Sequence, residues 1–392
     1  MKHCFDILDY GARPGGEALN TVAIQKAIDA CHAAGGGRVV CGPGTWRIGT
    51  LTLKSHVDLH LSPGCRLLGS TNLKDYREFV GKGFRPEFVP EGSSKSLLAA
   101  ADAEDIAITG TGEVNGQGPS FFDTSTTLWE HFYAKPPTAR PRMLTLYRCR
   151  DVRIEGPSFV DSPCWTFWLM KCERVHIHRI RILADQRMIN NDGIDLDACR
   201  DVTVSDCIFK TGDDCIAVRS IRSVFDAPGV CENLVVSNCV LDSFSEGIRI
   251  GCPSDGIIRN CTFANLVIRS HSNGIACDHP RGYLCPPGSA GTAVIHDVLF
   301  SNVVIDCGKT PIKVAVAEGI ALPKLENLGF HHFRIRSGEP CVVQGSAETT
   351  IRNVSFSDMT IETPGPEAVV RSGCEGVTLH EVRLVKPPPP AP

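Results

Sequence analysis

Residues 198–218, "ACRDVTVSDCIFKTGDDCIAV", and residues 230–250, "VCENLVVSNCVLDSFSEGIRI", follow the same plan. Each segment opens with a cysteine, two polar or charged residues and an alternating apolar triplet. A second apolar run follows, then polar residues and a last short apolar segment. Alternation of this kind is typical of β-strands, because successive side chains point to opposite faces. The two segments therefore indicate a repeat of short strands separated by polar turns.

The same plan recurs along most of the chain. Copies begin at Arg148 and Lys171, and weaker ones include residues 256–277, "GIIRNCTFANLVIRSHSNGIAC", and 350–370, "TIRNVSFSDMTIETPGPEAVV". Repeats of about 22 to 32 residues with three short strands fit neither a leucine-rich repeat nor a propeller blade. They predict an all-β fold, a single-stranded right-handed parallel β-helix whose coils stack at roughly 4.8 Å.

Stacked repeats would align their cysteines. The expected ladders are Cys149, Cys172, Cys199 and Cys231 in one, and Cys207, Cys239 and Cys261 in another. The chain has 19 cysteines, an odd number, and no Cys-x-x-Cys pair. Buried reduced cysteine acting as a small apolar residue is therefore the favoured interpretation, with a disulfide framework as the alternative.

The N-terminal part predicts a cap for the solenoid. Residues 20–37, "NTVAIQKAIDACHAAGGG", offer a polar start, one face with Ile24, Ile28 and Cys31, and a glycine stop, which together indicate a short helix. Terminal coils need such a cover. We expect residues 1–380 to form a single β-helix domain, with the capping helix and first coils in 1–60, and residues 381–392 to be a Pro-rich tail.

Charge and hydropathy limit the classes of partner. A net charge of -4 from 40 basic and 44 acidic residues gives no electrostatic basis for binding nucleic acid or an anionic membrane. No apolar run is long enough to span a membrane, and the start lacks the pattern of a signal peptide. These features predict a cytoplasmic protein. The alternative is a secreted or periplasmic protein from which a leader has been removed.

Acidic residues recur at one register of the repeat. Alignment of the last strand in each repeat places five residues in one column: Asp192, Asp214, Glu246, Asn273 and Thr310. Asp213 directly precedes Asp214 in the sequence. Asp is common in turns for local reasons, so a single one carries little information. Three on adjacent coils repel one another, which favours a functional group. Acid–base catalysis is one use, and coordination of Ca²⁺ is the other.

Hydrolysis of a glycosidic bond needs such a group. One carboxylic acid protonates the leaving oxygen and one carboxylate activates water, about 6.5–9.5 Å apart in an inverting enzyme. Side chains from neighbouring coils can reach that separation, and the long face of a solenoid suits an extended polymer.

At these residues the sequence resembles the polygalacturonase family, glycoside hydrolase family 28. "NNDGID" (190–195) resembles the family's Asn-Thr-Asp motif, and "GDDCIAV" (212–218) matches its Gly-Asp-Asp motif. The resemblance implies a pectin-lyase-like β-helix and an inverting mechanism without a cofactor or metal. It further implies that Asp213 is the general acid, that Asp192 and Asp214 deprotonate water, and that Asn190 contacts substrate or supports the site.

Two departures concern recognition of the sugar. Glu246 in "SEGIRIG" stands where the family has the histidine of Gly-His-Gly, and Ala276 with Asp278 replaces its Arg-Ile-Lys. Acidic residues repel a uronate, so binding of galacturonate is expected to be lost. Strand alternation places Arg249 and Lys313 on the outer face, where they contact substrate or form ion pairs.

The sequence thus predicts an inverting glycoside hydrolase acting on a pectin-related or other oligo- or polysaccharide. Glu246, Arg249 and Lys313, with Asn190, are the candidate substrate-binding residues, and a neutral or rhamnose-containing sugar is favoured over polygalacturonate. The expected partner is carbohydrate, with no nucleic acid and no membrane. A Ca²⁺-dependent lyase and a non-catalytic carbohydrate-binding β-helix are the alternatives.

Overall fold

The repeats form parallel strands, as their alternation predicts. The structure is a computed structural model that describes residues 4–221, 224–225, 229–283 and 292–387. The chain divides into two units, Met1–Asp195 with Cys199–Asp213 and Leu196–Ala198 with Asp214–Pro392. Each unit is a right-handed parallel β-helix, which confirms the predicted fold.

The first unit contains three sets of strands that pair in parallel, set by set, with the strands of neighbouring coils. The first set is Cys4–Asp6, Gly37–Cys41, Val57–Leu61, Glu104–Gly110, Arg150–Glu155, Glu173–His178 and Arg200–Ser205. The second set is Gly44–Ile48, Cys65–Gly69, Glu113–Asn115, Ser158–Val160, Arg181–Leu183 and Ile208–Thr211. The third set, the short-strand sheet of this unit, is Leu51–Thr52, Ser96–Ala101, Arg142–Tyr147 and Phe167–Met170. An antiparallel hairpin joins Asp123–Leu128 to Phe132–Ala134, and strand Ile194–Asp197 crosses the division between the units.

The predicted capping helix spans Thr21–Ala33. Ile24, Ile28 and Cys31 are fully buried on the face expected from their spacing. The remaining turns of the first unit are 3₁₀: Ile7–Tyr10, Leu73–Asp75, Pro86–Phe88, Pro90–Gly92 and Gly118–Phe121.

The second unit has two parallel sheets. Its long-strand sheet is Val230–Ser243, Ile257–Ser270, Val294–Cys307, Lys324–Ser337, Ile351–Glu362, Cys374–Glu375 and Thr378–Val385. Its short-strand sheet is Ile216–Ser220, Ile248–Ser254, Ile275–His279, Ile312–Val316, Cys341–Gln344 and Val369–Ser372. A 3₁₀ turn covers Arg281–Tyr283. Residues 388–392 of the expected Pro-rich tail lie outside the described residues.

One cysteine ladder is confirmed within the first unit and another prediction is wrong. Cys149, Cys172 and Cys199 precede paired strands and are fully buried. Cys239 pairs with Leu266, however, whereas Cys261 pairs with Leu234, so these two cysteines do not share a ladder. Cysteine and leucine can occupy the same inward positions of the strands. Two cysteines in neighbouring repeats are therefore not necessarily paired with each other.

The buried thiols have properties expected of reduced cysteine. A hydrogen bond with Cys172, followed by burial, raises the pKa of the Cys149 thiol well above its usual value. Such thiols remain protonated and unreactive at neutral pH. We expect a thiol titration under denaturing, non-reducing conditions to detect most of the 19 cysteines. Detection of fewer than a handful would contradict this prediction.

Among the residues that the structure describes, no helix has the length and apolar character required to cross a membrane.

Candidate functional site

In the first unit, Asp192 and Asp213 bring two carboxylates together. Asp192 lies just before strand Ile194–Asp197, and its backbone carbonyl accepts a hydrogen bond from the Thr166 amide at 2.8 Å. Asp213 follows strand Ile208–Thr211, where the Thr211 hydroxyl donates to the Asp213 carbonyl at 2.6 Å. Carboxylate oxygens of the two side chains lie within 4.8 Å of each other. Asp192 is buried, whereas Asp213 is only partly buried.

Asn190 and Arg140 hold this pair in place. Asn190 has a left-handed backbone (φ 57°), and its backbone amide donates to Oδ2 of Asp213 at 3.1 Å. The buried guanidinium of Arg140 donates to the Asn190 side chain at 3.0 Å and to the carbonyls of Pro163 and Ile189, each at 2.8 Å. The Asn190 side chain is therefore a support for the turn that positions Asp213. Arg140 was not among the residues identified from sequence, since nothing in its own motif connects it to residue 190.

In the second unit, Asp214 and Glu246 are neighbours in the expected column. The Cys215 amide donates to the Glu246 carbonyl at 3.0 Å, and Gly247 donates to the Asn273 carbonyl at 3.3 Å. The Glu246 carboxylate accepts hydrogen bonds from the Ser245 hydroxyl and, at 2.8 Å, from the Asn273 amide.

Arg249 is the central cation of the second unit. Ala217, Arg249, Ala276 and Lys313 lie in register on the outer face of the short-strand sheet, as strand alternation predicts. The Arg249 guanidinium lies 3.3 Å from Asp278, 3.9 Å from Asp214 and 4.0 Å from Glu246. Lys313 contacts the other oxygen of Asp278 at 3.1 Å. Both cations are therefore in ion pairs, one of the two roles expected for them.

These ion pairs control ionisation in the second unit. Burial opposes charge on Glu246, but the Arg249 charge and the hydrogen bonds outweigh it and lower the pKa of Glu246. Burial likewise opposes charge on Asp278, and Arg249 with Lys313 lowers its pKa. Arg249 itself has a raised pKa, because the surrounding carboxylates outweigh its burial. Arg219 adds a third cation, 3.7 Å from Asp214, so three basic side chains face three carboxylates in this cluster.

His279, beside this cluster, predicts a pH-dependent stability. Burial lowers the pKa of His279 to about 4. Between pH 6.5 and 4 the unfolded chain binds a proton that the folded protein does not, so stability falls as the pH falls through this window. We expect a loss of roughly 2–3 kcal/mol in the free energy of unfolding between pH 7 and pH 4.5. Urea unfolding at both values measures it.

The matched variant for this test is His279→Leu, which removes the titrating group. Its stability should change much less over the same interval, because Glu246 and Asp278, with lowered pKa values, lose their contribution only below about pH 4. An identical pH dependence in His279→Leu and the unsubstituted protein would show that another group is responsible.

Residues 79–93 of the first unit cover the outer face of its short-strand sheet. The Tyr147 hydroxyl donates to the Lys82 carbonyl at 3.1 Å, and the ring of Phe84 contacts that of Trp168 at 6.0 Å between centroids. Arg142 lies over the Trp168 ring at 4.5 Å and donates to the Pro90 carbonyl at 2.8 Å. These strands are buried throughout. The covered strand Phe167–Met170 is one coil from Asp192, since the Phe167 amide donates to the Gly193 carbonyl.

The carboxylates also bear on metal binding. Asp192 and Asp213 are close enough to share one cation, and oxygen donors suit Ca²⁺. The alternative of a cation-dependent site is therefore open to a direct test, given below.

Comparisons with known proteins identify the family of the chain. A model of the family "Glycosyl hydrolases family 28" matches residues 87–317. A protein described as "Probable polygalacturonase" from Vitis vinifera is 28% identical over 287 residues, which is 70% of this chain and 56% of that protein. An "Exopolygalacturonase" from Zea mays is 21% identical over 97% of this chain and 83% of its own length. A solved exopolygalacturonase from Thermotoga maritima superimposes with a TM-score of 0.73 at 20% identity, covering 97% of this chain and 91% of that one.

The chain belongs to glycosyl hydrolase family 28, since the matched region covers more than half of it. The likeness to the Thermotoga maritima structure concerns the fold. The chain spans 56% and 61% of the length of the first two plant relatives, from Vitis vinifera and Arabidopsis thaliana.

Proposed function

We propose that this protein hydrolyses glycosidic bonds in a pectin-related oligo- or polysaccharide. Asp213 acts as the general acid, and Asp192 with Asp214 deprotonates the attacking water. The observation that supports these roles most directly is the difference in exposure: Asp192 and Asp214 are buried, and Asp213 is only partly buried. The group that protonates a leaving oxygen must reach the substrate, whereas the groups that orient water can lie deeper.

The proximity of Asp192 and Asp213 fits a shared proton. Two carboxylates whose oxygens lie within 4.8 Å repel each other when both are ionised, which favours one proton on the pair. One member is then available as an acid while the other remains a base. The backbone amide that Asn190 donates to Asp213 fixes the orientation of that carboxyl group.

Whether the hydrolysis inverts or retains the configuration of the anomeric carbon requires a separate measurement. The closest oxygens of Asp192 and Asp213 are nearer than the separation of about 6.5–9.5 Å that is typical of inverting enzymes. We propose inversion, with water approaching beside the pair rather than between its members. Proton NMR during the first turnovers should show a product anomer opposite to that of the cleaved bond. Retention of configuration would contradict this proposal and make one carboxylate a nucleophile.

A neutral sugar at the cleavage point is the proposed specificity. Arg249 and Lys313 on the outer face are both engaged by carboxylates, as is Arg219 of strand Ile216–Ser220. A uronate would have to compete with Asp278 for them and approach Glu246 as a like charge. We expect rhamnose-containing pectic oligosaccharides to be cleaved at least about tenfold faster than oligogalacturonates, measured as kcat/KM.

Action at a chain end is the proposed mode of cleavage. The covered strand Phe167–Met170 lies one coil from Asp192, and a coil and a sugar residue each occupy about 5 Å. A polysaccharide therefore has room for few sugars in that direction.

The experiment that tests the reaction is incubation with a panel of pectic oligosaccharides, analysed by mass spectrometry. Addition of one water per bond, with release of one or two sugars from an end, is expected. Unsaturated products that depend on added Ca²⁺ would indicate a lyase instead. No change in any substrate would indicate a binding protein.

A further inference from the structure

A corner of the long-strand sheet in the second unit carries a side-chain ladder. Asn238, Asn265 and Asn302 have left-handed backbones. The side-chain amides of Asn265 and Asn302 each donate to the side-chain oxygen of the preceding asparagine in the ladder, at 3.0 Å and 2.7 Å. The following three coils have different residues at this corner, again with positive φ: His332, Asp358 and Glu381. The amide ladder is thus replaced by residues that can bind a metal.

Four donors meet at this corner, which we name the C-terminal corner cluster: His332, Asp358, His380 and Glu381. Ligand atoms of Asp358, His380 and Glu381 all lie within 4.8 Å of one another. Nε2 of His332 lies 3.4 Å from Oδ2 of Asp358. The donors come from three successive strands, Lys324–Ser337, Ile351–Glu362 and Thr378–Val385.

We propose that the C-terminal corner cluster binds a divalent transition-metal ion of the Zn²⁺ class. Two nitrogen or oxygen ligands at about 2.0–2.1 Å from a tetrahedral ion are about 3.4 Å apart, which is the separation of His332 and Asp358. His380 and Glu381 are exposed, so small side-chain rotations bring them into the same shell. Two imidazoles among the donors favour Zn²⁺, Co²⁺ or Ni²⁺ over Ca²⁺ and Mg²⁺.

Two carboxylates on adjacent coils lie at this corner, in a surface cavity that Arg334 and Arg383 also line. Asparagines in a ladder satisfy each other, whereas Asp358 and Glu381 on adjacent coils are like charges at roughly 4.8 Å backbone spacing. A bound divalent ion converts this repulsion into attraction.

The bound ion would stabilise the last coil of the second unit. Within the described residues, strand Thr378–Val385 pairs only with Ile351–Glu362, and it leaves Leu379 and Val385 exposed. A metal that joins three strands adds a link from this edge strand to the two coils before it. The ion is therefore structural, and it is separate from the proposed hydrolysis.

Zinc titration of the untagged, chelator-treated full chain tests the site. Calorimetry should show one saturable site, and thermal unfolding should shift upward with Zn²⁺. At a free Zn²⁺ concentration of 100 times Kd, the unfolding equilibrium constant should fall about 100-fold. His380→Ala and Asp358→Asn should each weaken binding at least about tenfold. Both residues are at the surface, so the variants should fold.

The matched control is His296→Ala. His296 and Asp297 form a comparable pair at 2.6 Å on the same sheet, outside the cluster, and its removal should leave Zn²⁺ affinity unchanged. Absence of saturable Zn²⁺ binding would overturn the proposal, as would unchanged affinity in both His380→Ala and Asp358→Asn. Ca²⁺ binding as tight as Zn²⁺ binding would overturn the assigned class of ion.

Discussion

Replacement of Asp213 by asparagine should lower kcat by about 10³-fold or more on the best pectic oligosaccharide, because general acid catalysis contributes about 10²–10⁴-fold. Asparagine has nearly the same shape, and its side-chain oxygen can still accept the hydrogen bond from the Asn190 amide. The turn should therefore persist while the transferable proton is lost. Initial rates by reducing-sugar assay or mass spectrometry measure the effect.

The controls for Asp213→Asn separate chemistry from folding. Asp206→Asn changes another partly exposed aspartate of the same coil, one with a positive φ that asparagine tolerates, and should retain full activity. The urea midpoint of Asp213→Asn should remain close to that of the unsubstituted protein. Turnover like that of the unsubstituted protein in Asp213→Asn would remove Asp213 from the role of acid.

Replacement of Arg249 by methionine should lower the free energy of unfolding by about 3–5 kcal/mol, the usual cost of removing one partner from a buried ionic group. The guanidinium lies within 4.0 Å of Asp214, Glu246 and Asp278, all of which are buried. Methionine fills similar volume but removes the cation that all three carboxylates share, while Lys313 still contacts Asp278 and Arg219 still lies 3.7 Å from Asp214. Urea denaturation at pH 7 measures the loss.

Two comparisons make the Arg249 result specific. Arg269→Met removes a guanidinium that lies 3.2 Å from Asp242, and the Arg269 side chain is 73% exposed. This substitution should lower the free energy of unfolding by less than about 1 kcal/mol. Addition of Glu246→Gln to Arg249→Met should recover at least about 1 kcal/mol, since Glu246 loses its contact with Arg249 whereas Asp278 keeps Lys313. A loss below 1 kcal/mol in Arg249→Met would show that the carboxylates are neutralised in another way.

These two experiments address different units of the chain. Asp213 concerns the reaction, whereas Arg249 concerns how a buried acidic column is tolerated. Glu246, expected from sequence to face the substrate, accepts hydrogen bonds from Asn273 and Ser245 and contacts Arg249. Glu246, which stands where the family's Gly-His-Gly motif has its histidine, is therefore part of an internal network of ion pairs in the second unit.

The fold and the acidic column followed from local patterns in the sequence. Period-2 alternation fixes which side chains face inward, and the isoleucine that starts the last strand of each repeat sets the register, so Asp214, Glu246, Asn273 and Thr310 could be aligned without coordinates. The helix Thr21–Ala33 followed from spacing and its glycine stop. Cys239 and Cys261 were misaligned, because inward positions accept several apolar residues equally well.

Only the tertiary structure decided the partners of the charged residues. Arg140 supports Asn190 from 50 positions earlier in the chain, Asp278 joins Arg249 to Lys313, and residues 79–93 cover the strands near Asp192. None of these contacts follows from a local pattern. Strand periodicity specifies the direction of a side chain, but the path of a long loop and the choice among several nearby carboxylates depend on packing between distant segments.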